Sequence, residues 1–263
     1  MPYADLQIER EDNIAILVLN RPDKRNALSP SLLEEMCLAL AAEEQNLKTR
    51  VIVITGSGDK AFCAGFDISD IETNDQSTKP GKGVELIENA FKRLRQVAKP
   101  VIAMVNGVSM GAGCDLIVNC DFRFVTEDAR FAIPPARLGI VYSWEGTLRV
   151  MKLVGPSNAK DLFMSGRTVN ANEAYDMGLV NRVIPRLRLR EETLAYATTL
   201  VNAAPLSVWG AKRMVDILND GASPSAEDLR AIAEVQSRVW QSSDAKEGAR
   251  AFKEKRRPVF QGQ

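Results

Sequence analysis

The stretch PVIAMVNGVSMGAGCDL, Pro100–Leu116, decides how the chain is read. Val101–Val105 is an unbroken apolar run between Pro100 and the Asn106-Gly107 turn, the pattern of a short strand buried on both faces. Gly111-Ala112-Gly113 follows, and a helix is predicted to begin near Gly111. The earlier stretch VIVITGSGDKAFCAGFDISD, Val51–Asp70, has the same form: an apolar strand, a glycine turn, then Phe62-Cys63-Ala64-Gly65-Phe66-Asp67. Small residues at both turns let backbone come close to a ligand, and glycine permits unusual dihedrals. A helix that starts at the second turn aims free N–H groups outward, which suits negative charge. Two N–H groups converging from two such turns would form an oxyanion hole.

Working outward, residues 5–20 alternate and then turn apolar, which predicts a β-hairpin. Ser29-Pro30 reads as an N-cap followed by a first-turn proline, opening a helix with Leu32, Leu33, Met36 and Leu40 on one face. Residues 71–83 are polar and punctuated by Gly and Pro, and read as a mobile loop. A helix over 84–98 turns Val84, Ile87, Phe91 and Leu94 inward. One or two strands are expected within 120–133, then helices over 144–153 and 157–164. Strand–helix alternation argues an α/β fold. Beyond Arg186 the pattern is helical, with Pro205 and Ser223-Pro224 each opening a helix and a last helix in DAKEGARAFKEKR. The expected division is a core over 1–195 and a helical region over 196–263.

The chain has 263 residues, with Lys+Arg and Asp+Glu both 34, so it offers neither a basic field for nucleic acid nor an acidic tail. The opening MPYADLQIERED holds no signal-peptide pattern, and no later apolar run nears the ~18 residues of a membrane span. No membrane partner is expected. Cys37, Cys63, Cys114 and Cys120 form no CxxC and read as reduced core residues of a cytoplasmic protein. There is no histidine, so the commonest general base and zinc ligand are missing and no metal site is expected. Acid–base work falls to carboxylates, Lys, Tyr or Cys.

Two motifs mislead. Gly107-Val108-Ser109-Met110-Gly111 matches the serine-hydrolase elbow, but no histidine exists to activate Ser109. Gly111-Ala112-Gly113 suggests a dinucleotide fingerprint, but Leu116 stands where its third glycine belongs. Cys63 and Cys114 also lack a histidine partner and read as small apolar filler.

Asn20-Arg21-Pro22, Arg25-Asn26-Ala27-Leu28, Ala61–Asp67, Lys99–Asp115, Cys120-Asp121, Ala174–Val180 and Glu247–Arg256 together resemble the enoyl-CoA hydratase/isomerase (crotonase) superfamily along essentially the whole chain. The resemblance implies a spiral of ββα turns, a C-terminal helical region used in trimer packing, and a homotrimer or a homohexamer made of two trimers. It implies an acyl-CoA substrate, with coenzyme A as part of that substrate and no permanently bound cofactor. The thioester oxygen would sit between the N–H groups of Phe66 and Ala112. The CoA portion would lie along Lys24, Arg25, Ala27 and Leu28 and the turn of Ala64, Asp67 and Ile68, with Lys255 near its phosphates.

Hydratases of the family use two glutamates. The first slot matches Asp115, a shorter carboxylate; the second, by unbroken alignment from Phe131, matches Pro135, which cannot ionise. Family isomerases also place acids at the position of Ser143, here a hydroxyl, with Glu145 two residues on. Glu145 is either a relocated acid or a first-turn residue of a helix capped by Ser143. Pro135, Tyr142, Ser143 and Trp144 are expected to shape the acyl pocket. Asp115, with Glu145 as a possible helper, is the expected acid–base group. The reaction expected is hydration or isomerisation of an enoyl-CoA through a stabilised enolate. Decarboxylation, thioester hydrolysis and a non-catalytic CoA-binding role stay open.

Overall fold

Apolar runs without alternation need cover on both faces, and the chain supplies it with helices wound around a sheet. The computed structural model describes residues 3–67, 82–139, 141–220 and 225–263. Ile68 and residues 71–81 of the loop expected over 71–83 lie outside them, and its last two residues, Lys82 and Gly83, open a helix instead.

The hairpin forms as read: β1 (Leu6–Glu11) pairs antiparallel with β2 (Ile14–Leu19). Beside β2 lie, all parallel, β3 (Val51–Gly56), β5 (Val101–Val105), β7 (Phe122–Thr126) and β10 (Arg182–Ile184). A smaller sheet stacks β4 (Ala61–Cys63), β6 (Val108–Met110) and β8 (Arg130–Ala132) in parallel, with β9 (Val169–Asn170) antiparallel at its edge. Each turn of the spiral thus gives a long strand to one sheet, a short strand to the other, and then a helix. The helices that follow are α2 (Lys82–Gln96), α3 (Ala112–Val118) and α4 (Trp144–Lys160).

Helix α1 (Pro30–Gln45) starts as read, with Pro30 at its first position and the Ser29 hydroxyl accepting from the Leu32 N–H at 3.2 Å. Its Leu32, Leu33, Met36 and Leu40 pack with Leu17, Leu19, Ile52 and Ile54 on one face of the large sheet. The opposite face carries Ile16, Val53, Ile102 and Phe124, covered by Leu189, Leu194 and Ala197 of α6 (Leu189–Val201). Helix α4 bends at Gly155 (φ 76°, ψ 166°), followed by Pro156, so two helical segments meet where two helices were expected. Helix α5 (Ala171–Asp176) precedes β10, and α7 (Pro205–Asp220), α8 (Ala226–Trp240) and α9 (Ser243–Glu254) complete the chain. One start differs from expectation. Helix α8 is capped by Ser225, whose hydroxyl accepts from the Asp228 N–H while the Asp228 carboxylate accepts from the Ser225 N–H, so the cap is not Ser223. Among the described residues, no helix is long and apolar enough to cross a membrane.

Candidate functional site

The two glycine turns meet. Gly65 has φ +105°, and a Cβ there would lie 2.9 Å from the Met110 carbonyl oxygen and 3.7 Å from the Ala112 nitrogen. Gly113 lies against β4, where a Cβ would sit 2.4 Å from the Cys63 carbonyl oxygen. Both positions demand glycine because backbone occupies the space a side chain would take. The Gly111 N–H donates to the Ala132 carbonyl at 2.8 Å, which anchors the second turn on β8. In the first turn, Ala64 N–H donates to Arg25 O and Asp67 N–H to Leu28 O. Among the described residues the intervening Phe66 N–H has no backbone acceptor.

The segment over 24–28 is tied to that turn by three backbone bonds, the third being Leu28 N–H to Gly65 O at 2.8 Å. Arg25 and Asn26 are both left-handed (φ 51° and 56°), an unfavourable pair for side chains with a Cβ. Asn26 holds the bend: its Nδ2 donates to Ser57 O and Ala61 O, and its Oδ1 accepts from the Arg21 N–H. Asp67 braces the same region by pairing with Arg21 at 3.0 Å. Ala27 and Leu28 are buried, whereas Lys24 and Arg25 are exposed. Lys255 is exposed at the left-handed cap of α9.

Asp115 occupies the first turn of α3, three residues past Ala112, and is 3% exposed. Arg149, reaching in from α4, places Nη2 at 3.3 Å from both carboxylate oxygens. Asn119 Nδ2 donates to Oδ1, and the Tyr142 hydroxyl lies near enough to the carboxylate to favour its charged form. Burial pushes the Asp115 pKa up, the Arg149 charge pulls it back, and Glu88 pushes it up again. Tyr142 is raised well above its usual range by burial, with Asp115 adding to the shift.

Two members of this cluster escaped the sequence reading. Arg149 Nη2 also lies 3.3 Å from Glu88 Oε1 of α2, and Ser143 Oγ donates to that same oxygen at 3.3 Å. The clue was there for Glu88, which flanks the apolar stripe of Ile87, Phe91 and Leu94 on a helix turned inward. Ser143 caps α4 by accepting from the Gly146 N–H at 3.1 Å, and Glu145 is a half-buried first-turn residue with no ion pair among the described residues. Tyr142 packs on Phe163 with ring centroids 5.2 Å apart. Trp144 does not join it; its side chain is 72% exposed. Pro135 is buried just beyond β8 and begins a 3-10 turn.

The motifs that mislead resolve as read. Ser109 is fully buried within β6 and presents no nucleophile. Burial pushes the Cys63, Cys114 and Cys120 thiols up to about 12. Among the described residues no group of His, Cys, Asp or Glu has the arrangement to hold a metal ion.

Two glycine turns closing on one point, with a buried carboxylate beside them, on a spiral of ββα turns, can be compared with known proteins. The enoyl-CoA hydratase/isomerase model matches residues 9–263. The chain belongs to the enoyl-CoA hydratase/isomerase family, and is an enzyme of that family. It is 35% identical over 261 residues to a crotonyl-CoA hydratase of Syntrophomonas wolfei, covering 99% of both chains. It is 36% identical over 264 residues to a carnitinyl-CoA dehydratase of Salmonella typhi, covering 98% of both. The crystal structure of an enoyl-CoA hydratase from Bacillus anthracis superposes with a TM-score of 0.90 at 31% identity, covering 99% of this chain and 100% of that one.

The raised Asp115 pKa has a thermodynamic consequence in this family member. The unfolded chain gives up this proton near the ordinary value of 3.8, the folded chain only at higher pH. Between those values the folded state binds more protons, so stability falls as pH rises through the window. The Tm of the wild-type chain minus that of Asp115→Asn is expected to fall as pH is raised from ~4 towards neutrality, as followed by circular dichroism. A flat difference would mean that Asp115 titrates normally.

Proposed function

We propose that the protein acts on an enoyl-CoA thioester, stabilising the enolate with the Phe66 and Ala112 N–H groups and moving a proton at the α-carbon with Asp115. The observation that carries this reading is the position of Asp115. It is buried one helical turn from the Ala112 N–H, with its protonated form favoured by burial. A carboxylic acid that keeps its proton can deliver it to carbon as charge on the thioester oxygen is discharged. A backbone oxyanion hole lowers the enolate's energy in the same step, each donor contributing ~3–4 kcal/mol.

The CoA portion is assigned to Lys24, Arg25, Ala27, Leu28, Ala64, Asp67 and Ile68, with Lys255 near the phosphates. Pro135, Tyr142 and Ser143 form the acyl pocket, and Trp144 stands on its solvent side. The thioester is itself the activating group, so the reading calls on no resident cofactor. Residues 196–263 are assigned to packing in a trimer or a dimer of trimers, and the protein to the cytoplasm.

Purified protein incubated with a short 2-enoyl-CoA in heavy water tests the reading by mass spectrometry. Deuterium at the α-carbon of the recovered thioester is the expected result. A bound thioester that gains no deuterium would sink it.

A further inference from the structure

Pro135 removes the second acid from the position where family hydratases carry it, yet the site is not short of carboxylates. Glu88 and Asp115 both contact a single nitrogen, Arg149 Nη2, each at 3.3 Å. The contacting oxygens are therefore no farther apart than twice that distance. Glu88 arrives from α2 and Asp115 from α3. Its side chain is 26% exposed, against 4% for that of Asp115. One of the pair is accessible to water and the other is shielded. The Ser143 hydroxyl uses its acceptor side for the α4 cap, and its one proton points at Glu88 Oε1. Among the described residues Glu88 Oε2 has no hydrogen-bond donor. Glu145, the relocated acid weighed from sequence, makes no such contact with Arg149.

We propose that Glu88 is the second acid–base group of this site, the one that activates water, and that the enzyme is a hydratase built on the pair Asp115 and Glu88. The proposal rests on the enolate reading above and deepens it. Glu88 takes a proton from a water molecule as the water oxygen bonds to the β-carbon. The electron pair of the C=C bond moves to the α-carbon and thioester oxygen. Protonated Asp115 gives its proton to the α-carbon, and the thioester C=O is restored. Glu88, now protonated, releases its proton to solvent and Asp115 takes one up, so the net change is addition of one water. Arg149 stays charged throughout and holds both carboxyl groups in register. The hydroxyl of Ser143 keeps Glu88 turned towards the pocket.

The test compares two reactions of the whole purified enzyme. Water addition to crotonyl-CoA needs both groups. Exchange of the α-protons of butyryl-CoA in heavy water needs only Asp115 and the oxyanion hole. Wild-type protein is expected to do both. Glu88→Gln is expected to lower kcat for water addition about 100-fold and exchange by less than about tenfold. Glu88→Asp, which restores a carboxylate, is expected to recover at least about tenfold of the lost addition. Glu85→Gln, one turn earlier on the exposed face of α2, serves as the control and is expected to change neither rate. Equal loss of both reactions in a Glu88→Gln protein of unchanged Tm would make Glu88 a prop for Arg149 and overturn the proposal. Wild-type exchange without water addition would also overturn it, and leave the enolate reading standing. Absence of exchange in the wild type would instead remove the enolate reading itself.

Discussion

Asp115→Asn is expected to lower kcat on an enoyl-CoA about a thousandfold while leaving KM within a few-fold. Asparagine keeps the size of the side chain, and its amide oxygen can still accept from Arg149. What it loses is the proton that, on the proposed reading, reaches the α-carbon. That interaction exists only as the reaction proceeds, so the loss falls on kcat and not on binding. The fall corresponds to about 4 kcal/mol of transition-state stabilisation. Steady-state kinetics beside an unchanged far-UV spectrum checks it. A variant that retains a tenth of the wild-type rate would transfer the role to another residue, and Tyr142 is the next group in contact with the site.

Gly113→Ala should be almost as damaging, for a reason unrelated to proton transfer. The new Cβ would lie 2.4 Å from the Cys63 carbonyl oxygen and 3.0 Å from the Cys63 Cβ. Neither neighbour can yield, since both belong to β4, which is held on β6 by parallel pairing. The start of α3 must therefore move away, and the Ala112 N–H moves with it. Displacing one oxyanion donor costs about 10²–10³ in kcat. The strain itself should cost ~1–3 kcal/mol of stability, which lowers Tm by several degrees in a chain of this size. Kinetics and a thermal melt read the two effects separately. Gly113→Ala with a wild-type rate would mean that the Ala112 N–H is not an oxyanion donor.

The centre of the large sheet was legible because β2 and β5 are apolar throughout and β3 nearly so. Val51–Thr55 and Val101–Val105 can only be satisfied between two covering layers, and α1 and α6 provide them. The kink at Gly155-Pro156 could be read from the same two residues that break the helix. The turns at Gly65 and Gly111–Gly113 were legible because close backbone approach leaves glycine no substitute. The start of α8 was not, because Ser223 and Ser225 are equally good caps in isolation; only Ser225 has Asp228 three residues on to complete a reciprocal pair.

The charged half of the site was hidden for a different reason. Glu88 and Arg149 are 61 residues apart, and nothing local in either helix announces a partner. Each sits at the margin of an apolar stripe, where a charge is ordinarily solvated. Their meeting depends on how α2 and α4 are brought together, a property of packing and not of periodicity. Glu145 illustrates the converse. It is conspicuous in the sequence, at the end of an apolar stretch, and takes an ordinary place in the first turn of a capped helix.

The buried cysteines acquire a meaning from the substrate proposed above. An α,β-unsaturated thioester is a Michael acceptor, and thiolates are the groups it alkylates most readily. Cys63 lies two residues before Gly65 and Cys114 two residues after Ala112, so both belong to the turns that would hold the electrophile. Burial pushes both thiols up to about 12 and leaves neither side chain exposed, so the reactive thiolate is disfavoured. If an enoyl thioester binds at these turns as proposed, the packing that lets them touch also keeps both thiols from conjugate addition.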